Sequence, residues 1–139
     1  MEQVKDTRRA LVRIGYDGRV SKTFRGHEAK ERFENEVLVL RHLEEKGCPF
    51  VPRILEADPA KLLLVTSNGG SRVEHLSEQK MTDLFNELER YGVRHEDQAS
   101  RNITYNAKEG RFFIIDFEFA TLLDDPSHRS PVAMPPVTP

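Results

Sequence analysis

Two short polar patterns in the second half of the chain could hold a divalent cation and orient a hydroxyl group. The first, over 95–102, reads H-x-D-x-x-x-x-N and supplies Asp97 and Asn102. The second is an apolar run over 112–115 that ends at Asp116. Mg²⁺ prefers hard oxygen ligands, and a carboxylate after an apolar run is costly unless a cation or a donor meets it. Together the patterns predict a metal site with Asn102 and Asp116 as ligands. For each residue alone, an ordinary turn remains the alternative.

This spacing suits phosphoryl transfer, in which a protein holds ATP, binds Mg²⁺ and orients an acceptor hydroxyl with little covalent chemistry of its own. We expect Asp97 to accept the proton of that hydroxyl and Asn102 to bind a second metal ion, with Mn²⁺ as a substitute for Mg²⁺. His95 is interpreted as a structural residue that hydrogen-bonds near the metal-binding aspartate.

The composition limits the classes of protein that need to be considered. The 139 residues are 37% hydrophobic and 32% charged, with a net charge of −2, which is typical of one globular domain without a nucleic-acid footprint. No apolar run approaches the ~20 residues of a membrane helix, and the N-terminus lacks the apolar stretch of a signal peptide. The single cysteine, Cys48, allows no internal disulfide. We therefore expect a cytoplasmic protein with no membrane and no nucleic-acid partner.

In the first half of the chain, the apolar pattern predicts the order β-β-α-β-β. A Gly-Tyr-Asp-Gly turn between two short apolar runs predicts a hairpin, and a highly charged helix that stops at a glycine follows it. The predicted elements are strands at 8–14 and 19–25, a helix over 27–46, and strands at 53–57 and 62–65.

The second half predicts a Gly-rich connector, one helix, a loop and a second hairpin. Ser77 is a candidate N-cap, and the apolar residues behind it recur at helical spacing. The predicted elements are a connector at 66–70, a helix over 78–91, a loop over 93–101, and strands at 102–105 and 111–117. The whole order is typical of an α+β fold with two small lobes joined by a hinge.

These patterns resemble those of the eukaryotic-type protein-kinase superfamily, including its small atypical and antibiotic-kinase branches. The resemblance implies a β-rich N-lobe with a helix C, and a C-lobe with one long helix, a catalytic loop and a β-hairpin. It also implies a lysine on the third strand that holds the ATP phosphates, a glutamate on the following helix, and a hinge that binds adenine. Thr66 and Asn68 are the hinge residues assigned to the nucleotide.

The sequence supplies the lysine and the glutamate. Lys22 alternates with Val20 and Phe24 on one face of the predicted strand. Glu36 falls inside the apolar stripe of the helix, so an ion pair with Lys22 is the expected reason for its position. Glu34 is the second choice for this role, and solvated charges on an amphipathic helix remain the alternative for both acids.

Several features depart from the family pattern. No glycine-rich phosphate loop precedes Lys22, so the first strand is expected to be missing or poorly formed within 1–7. Glu96 and Glu118 stand where the family usually has arginine and glycine. The chain ends about twenty residues after Asp116, so the resemblance is to a truncated member with about half of a kinase domain.

The truncation leads to expectations about domains and partners. One domain is expected over 1–123, with an N-lobe over 1–66, the hinge and a partial C-lobe over 71–123, and a flexible Pro-rich tail over 124–139. The helix over 78–91 would lose its usual neighbours, so its apolar surface would need a cover. A second copy of the chain, an unknown partner protein or the tail could provide that cover.

Three functions fit these residues. The first is an ATP- and Mg²⁺-dependent phosphotransferase of the serine/threonine-kinase type, acting on a protein or on itself, with Lys22, Glu36, Asp97, Asn102 and Asp116 as its catalytic residues. The second is a nucleotide-binding pseudokinase that regulates a partner. The third is a small-molecule kinase, which the Asp-Phe-Glu sequence at 116–118 favours.

Overall fold

The computed structural model describes residues 3–128, and it has an α+β fold with two helices and three antiparallel sheets. In the first half the elements are β1 (Gln3–Asp6), β2 (Ala10–Ile14), β3 (Val20–Phe24), α1 (Ala29–Glu45), β4 (Ile54–Asp58) and β5 (Leu63–Thr66). In the second half they are β6 (Ser71–Arg72), α2 (Glu78–Arg90), β7 (Val93–Arg94), a 3₁₀ turn (Ser100–Asn102), β8 (Ile103–Asn106), β9 (Arg111–Ile114) and β10 (Thr121–Leu122). Neither helix is long and apolar enough to cross a bilayer.

The largest sheet has five strands in the order β1-β2-β3-β5-β4. Its register places Lys5 opposite Val12, Val12 opposite Lys22, and Lys22 opposite Leu64. Directly opposed residues of neighbouring strands point to the same face of a sheet. These four side chains therefore form one row across the sheet.

The helix α1 lies against this sheet through one continuous buried stripe. The stripe contains four apolar residues and three that are polar or charged by type; its buried members are Arg32, Phe33, Asn35, Glu36, Val39, Leu40 and Leu43. The helix ends where the sequence indicates, because Gly47 adopts a left-handed φ of 75° and Cys48 donates its N–H to the Leu43 carbonyl at 3.0 Å. Only Leu38 among the large apolar residues of α1 is exposed.

The helix α2 begins at its predicted cap, where Ser77 Oγ accepts the N–H of Lys80 at 3.1 Å. Phe85 and Leu88 are buried, and the half-buried apolar residues of this helix pack against the same core. The large exposed apolar residues of the described chain are Val4, Tyr16, Leu38, Leu55, Tyr105 and Leu123, none of which lies on α2. The expectation that this helix leaves an uncovered apolar surface is therefore wrong.

Four short strands, β1, β6, β7 and β10, were not predicted. β1 pairs with β2 along its whole length, so the expectation of a missing or poor first strand is wrong. β7 and β10 pair with each other, so the residues 93–94 belong to a ladder rather than a loop. Two-residue strands are too short to show any periodicity, and their pairing joins segments that are distant in sequence.

The segment after β10 packs on α1 as far as it is described. Asp124 Oδ2 lies 3.4 Å from His42 Nε2 and 3.6 Å from Lys46 Nζ, and His128 Nε2 lies 2.9 Å from the side-chain oxygen of Asn35. The predicted tail therefore does not begin as a loose segment at 124. The rest of that prediction, over 129–139, lies outside the described residues.

Candidate functional site

Three carboxylates surround one ammonium group where the first sheet meets the second half of the chain. Lys22 Nζ lies 2.7 Å from Asp116 Oδ1, 2.9 Å from Glu36 Oε1 and 3.0 Å from Glu118 Oε2. The lysine donates hydrogen bonds to Asp116 and Glu36, whereas Glu118 Oε2 contacts it without hydrogen-bond geometry. The predicted ion pair between Lys22 and Glu36 is present, and two further acids join it.

Each member of this cluster is positioned by a different element. Lys22 belongs to the cross-strand row of the sheet, and Glu36 lies in the buried stripe of α1. The second carboxylate oxygen of Glu36 accepts the buried N–H of Phe117 at 2.9 Å, which ties α1 to the segment after β9. Asp116 itself has a φ of 73°, a left-handed conformation that is unfavourable for a residue with a side chain.

The cluster shifts the protonation of its members in different directions. Burial alone would lower the pKa of Lys22, but the negative charges of Asp116, Glu36 and Glu118 hold its pKa well above the usual value. Burial raises the pKa of Glu36, although Lys22 opposes that shift. Burial would also raise the pKa of Asp116, yet Lys22 lowers it to about 2. Asp116 has 45% of its side chain exposed, so solvent screens part of this attraction.

His95 connects the loop after β7 to the end of β9. Its Nδ1 accepts the N–H of Asp97 at 3.1 Å, so Nε2 carries the hydrogen and donates to the Ile115 carbonyl at 2.9 Å. The ring packs between those of Phe85 and Phe117, and burial lowers the pKa of this imidazole. These contacts are those of a neutral residue that orients the loop.

Asp97 and Asn102 are held together beside this histidine. The side-chain amide of Asn102 donates to the Asp97 backbone carbonyl at 2.9 Å and to its carboxylate at 3.1 Å. Arg101 Nη2 lies 2.7 Å and 2.5 Å from the two carboxylate oxygens of Asp97. The Ile115 N–H donates to the Asn102 carbonyl at 2.9 Å, so this loop is fixed directly to the strand end that carries Asp116.

A cavity of about 210 Å³ lies next to the carboxylate cluster. Five of the residues that the sequence assigns to the site line it: Lys22, Glu36, Thr66, Asn68 and Asp116. Asp97 and Asn102 do not line the cavity, although His95 and Ile115 connect their loop to its edge. The structure thus brings the five lining residues together at one cavity and places Asp97 and Asn102 beside it.

The walls of this cavity are mostly apolar and come from both sides of the fold. The sheet contributes Val12, Val20 and Leu64, and the end of β9 contributes Ile115. The connector 67–70 forms one edge of the cavity, and some of its polar groups already form hydrogen bonds within the protein. There the Asn68 side-chain oxygen accepts the Gly70 N–H at 2.8 Å, and Thr104 Oγ1 donates to the Gly69 carbonyl at 2.6 Å. The cavity fits a flat, largely apolar ring with a polar edge.

A larger groove, of about 980 Å³, shares Ser67, Asn68 and Gly70 of the connector with the smaller cavity. It is lined by Glu44, Cys48, Arg53 and Lys108, among others, but by none of the members of the carboxylate cluster. We therefore place the candidate site at the smaller cavity, where buried charges converge.

Glu118 is the site residue that the sequence analysis did not identify. It is 6% exposed, and its Oε2 also lies 3.6 Å from Nη1 of Arg32, which is 1% exposed. An acid between Phe117 and Phe119 is a signal that could have found it, because a charge within an apolar run needs a partner. Oxygens of Glu36, Asp116 and Glu118 lie within 4.8 Å of one another, which is a donor set of the kind that divalent cations use.

The sequence matches no protein-family model and no curated protein. Solved structures do match the fold. One is the Rio2 kinase from Chaetomium thermophilum, in its complex with ADP, Mg²⁺ and phosphoaspartate, with a TM-score of 0.63 and 18% identity over 89% of this chain. Another is WbdD in complex with the kinase inhibitor LY294002, with a TM-score of 0.62 and 20% identity over 91% of this chain.

The chain spans 49% of the Rio2 chain and 34% of the WbdD chain. At this identity the likeness concerns the fold alone. The described residues have a protein-kinase-like α+β fold.

Proposed function

We propose that this chain binds ATP with Mg²⁺ in the 210 Å³ cavity and transfers the γ-phosphoryl group to a hydroxyl of a protein or of the chain itself. The observation that carries the proposal is the Lys22 ammonium, which Glu36 and Asp116 hold at the edge of an apolar cavity. An ammonium fixed in this way is suited to the phosphates of a bound nucleotide. The Rio2 kinase of similar fold was solved with ADP and Mg²⁺.

The other residues take roles that follow from their chemistry. Asp116 and Asn102 would bind the metal ion, which Mn²⁺ could replace, and Asp97 would accept the proton of the acceptor hydroxyl. The apolar walls would enclose the adenine ring, with Thr66 and Asn68 at its polar edge. Mg²⁺ would offset the negative charge of the acids and of the phosphates.

A second candidate is a module that binds the nucleotide without transferring phosphate. The observation that favours it is the Asp97 carboxylate, both of whose oxygens are engaged by Arg101. A carboxylate held in this way has to leave the arginine before it can contact an acceptor hydroxyl.

The two candidates differ in a transfer assay with purified protein, Mg²⁺ and γ-labelled ATP, alone and with generic protein substrates. If the chain is a phosphotransferase, label transfer is lost in Asp97→Asn and Asp116→Asn and kept in Asp83→Asn, which changes an exposed acid on α2. Thermal stabilisation by MgATP without transfer supports the binding module. A wild-type protein that shows neither transfer nor stabilisation by MgATP refutes both.

A further inference from the structure

The turn between β1 and β2 has little backbone left for binding a ligand. It contains Thr7, Arg8 and Arg9 and no glycine. The Thr7 N–H donates to the Ala10 carbonyl at 2.9 Å, and the N–H groups of Arg9 and Ala10 donate to Thr7 Oγ1 at 3.3 Å and 3.2 Å. A loop that binds phosphate through its backbone needs several free N–H groups. This turn uses most of its N–H groups internally.

The side chains near this turn are cationic and face the candidate site. Lys5 shares the cross-strand row with Val12 and Lys22, so it points to the same face of the sheet as the lysine of the cluster. Neighbouring strands lie about 4.8 Å apart, which places the Cα atoms of the two lysines about 10 Å apart. Lys5 also lines the 210 Å³ cavity.

A second cavity, of about 260 Å³, continues from the first and is lined by four cations and by two carboxylates, those of Asp116 and Glu118. Both cavities share Lys5, Val12, Lys22 and Asp116, and the second adds Arg8 and the rest of the turn. A ligand in the first cavity can therefore extend into the second past the Lys22 ammonium.

The four cations of this second cavity differ in how far they are engaged. Lys22 is held by the acids of the cluster, and Arg9 lies 3.8 Å from a Glu118 oxygen with its guanidinium over the Phe119 ring. Within residues 3–128, Lys5 and Arg8 have neither an ion pair nor a side-chain hydrogen bond. The positive charge of Lys5 helps to lower the pKa of Asp116, but the N–H groups of both side chains are available to an anion.

We propose that Lys5 and Arg8 form a phosphate-binding site for the terminal phosphates of a bound nucleotide, with side-chain charge in the place of backbone N–H groups. The inference rests on the proposed function, since the first cavity would hold the nucleoside and Lys22 the phosphate nearest to it. Binding at such a site depends on the number of phosphates and weakens as salt screens the charges.

The test compares adenosine ligands that differ in their number of phosphates, and it adds a polyphosphate that has no nucleoside. Isothermal titration would measure ATP with Mg²⁺, AMP, adenosine and inorganic tripolyphosphate, each at low and at high salt. The variants are Lys5→Gln, Arg8→Gln and the double variant, and the control is Lys61→Gln, which removes an exposed lysine that lines neither cavity. Thermal unfolding of each variant checks that it folds.

The double variant is expected to lose affinity for ATP by about tenfold for each charge removed. Its affinity for adenosine should stay within about twofold, and its ATP binding should become less sensitive to salt. The Lys61→Gln protein should bind all four ligands as the wild type does.

Two results would overturn the inference while leaving the proposed function intact. One is a double variant that binds ATP like the wild type, and the other is an equal loss for ATP and adenosine. If the wild type binds no nucleotide, the proposed function fails, and the binding of tripolyphosphate then tests the site formed by Lys5 and Arg8 separately. Binding of tripolyphosphate that is lost in the double variant supports the basic site, and no binding to the wild type refutes it.

Discussion

Replacing Glu36 with glutamine separates the stability of the fold from the binding of a nucleotide. The Glu36 side chain is 6% exposed and makes two contacts of 2.9 Å, one to Lys22 Nζ and one to the Phe117 N–H. Glutamine keeps the shape and one acceptor oxygen but removes the charge. Alanine removes both contacts and the volume of the side chain.

The two substitutions should differ in their effect on the free energy of unfolding. In Glu36→Ala the buried Phe117 N–H loses its acceptor, at a cost of about 1–3 kcal/mol, and a charge-assisted hydrogen bond worth about 1.5–3 kcal/mol is lost. Lys22 still has Asp116 and Glu118, so it does not become an unpaired buried charge. We expect a total loss of about 3–5 kcal/mol.

Glutamine has a compensating gain, because burial raises the pKa of Glu36. Because the pKa of Glu36 is higher in the folded state than in the unfolded state, the protonated carboxyl contributes to the free energy of unfolding. This contribution is fully present below the unfolded-state pKa of about 4.3 and is lost as the pH rises through the folded-state pKa. Above the folded-state pKa the ionised carboxylate therefore costs stability, and the neutral amide removes that cost. We expect Glu36→Gln to change the free energy of unfolding by about 1 kcal/mol or less.

The assay combines urea unfolding with the thermal shift by MgATP. Glu36→Gln should unfold almost like the wild type but lose the thermal shift, because Lys22 is then drawn only towards Asp116 and Glu118. Glu34→Gln is the matched control, since this exposed acid lies on the same helix two residues away. A loss of more than about 3 kcal/mol in Glu36→Gln would show that the charge itself maintains the fold. A normal thermal shift in that variant would show that nucleotide binding does not need the ion pair.

Two further predictions concern the surroundings of the site. Gly70→Ala should lower the free energy of unfolding in urea more than Gly110→Ala does. Gly70 has a φ of 112°, and a Cβ added there would lie 2.2 Å from the Tyr105 carbonyl oxygen, whereas a Cβ at Gly110 meets open space and costs only the left-handed penalty of about 1–2 kcal/mol. Equal losses in the two variants would contradict the close packing of the connector 67–70. Burial raises the pKa of the Cys48 thiol to about 11. The contribution of the neutral thiol to the free energy of unfolding is therefore fully present below the unfolded-state pKa of about 8.5, and it is lost as the pH rises through about 11. Iodoacetamide at pH 8 should therefore modify Cys48 in urea but not in buffer, as measured by mass spectrometry, and equal rates would refute its burial.

The parts of the site that local patterns encode could be predicted from the sequence. The two hairpins, the end of α1 at Gly47 and the Ser77 cap depend on turn and cap residues next to one another in the chain. Helical geometry also separated Glu36 from Glu34, because only one of them falls within the apolar stripe. In the structure Glu36 is buried and Glu34 is exposed. Whether these acids serve a nucleotide stays a prediction.

Other buried polar residues of α1 could not be predicted, because their partners come from distant segments. The amide of Asn35 donates to the carbonyls of Glu118 and Ala120 at 3.0 Å and 2.9 Å. The guanidinium of Arg32 donates to the Arg9 carbonyl at 3.3 Å, and its Nη1 lies 3.6 Å from Glu118 Oε2. Hydropathy assigns such residues to the surface, and only the tertiary fold supplies the carbonyl groups that satisfy them.

β1 shows most clearly where local reasoning fails. Its sequence, Gln-Val-Lys-Asp, has one apolar residue, and that residue, Val4, is 54% exposed. Neither periodicity nor propensity therefore indicates a strand. It forms because β2 would otherwise leave an edge of unpaired N–H and C=O groups, and pairing with that edge fixes the register. The same register places Lys5 in one row with Lys22. A strand without a hydrophobic signal thus positions a charge at the site, and only the pairing of three strands reveals it.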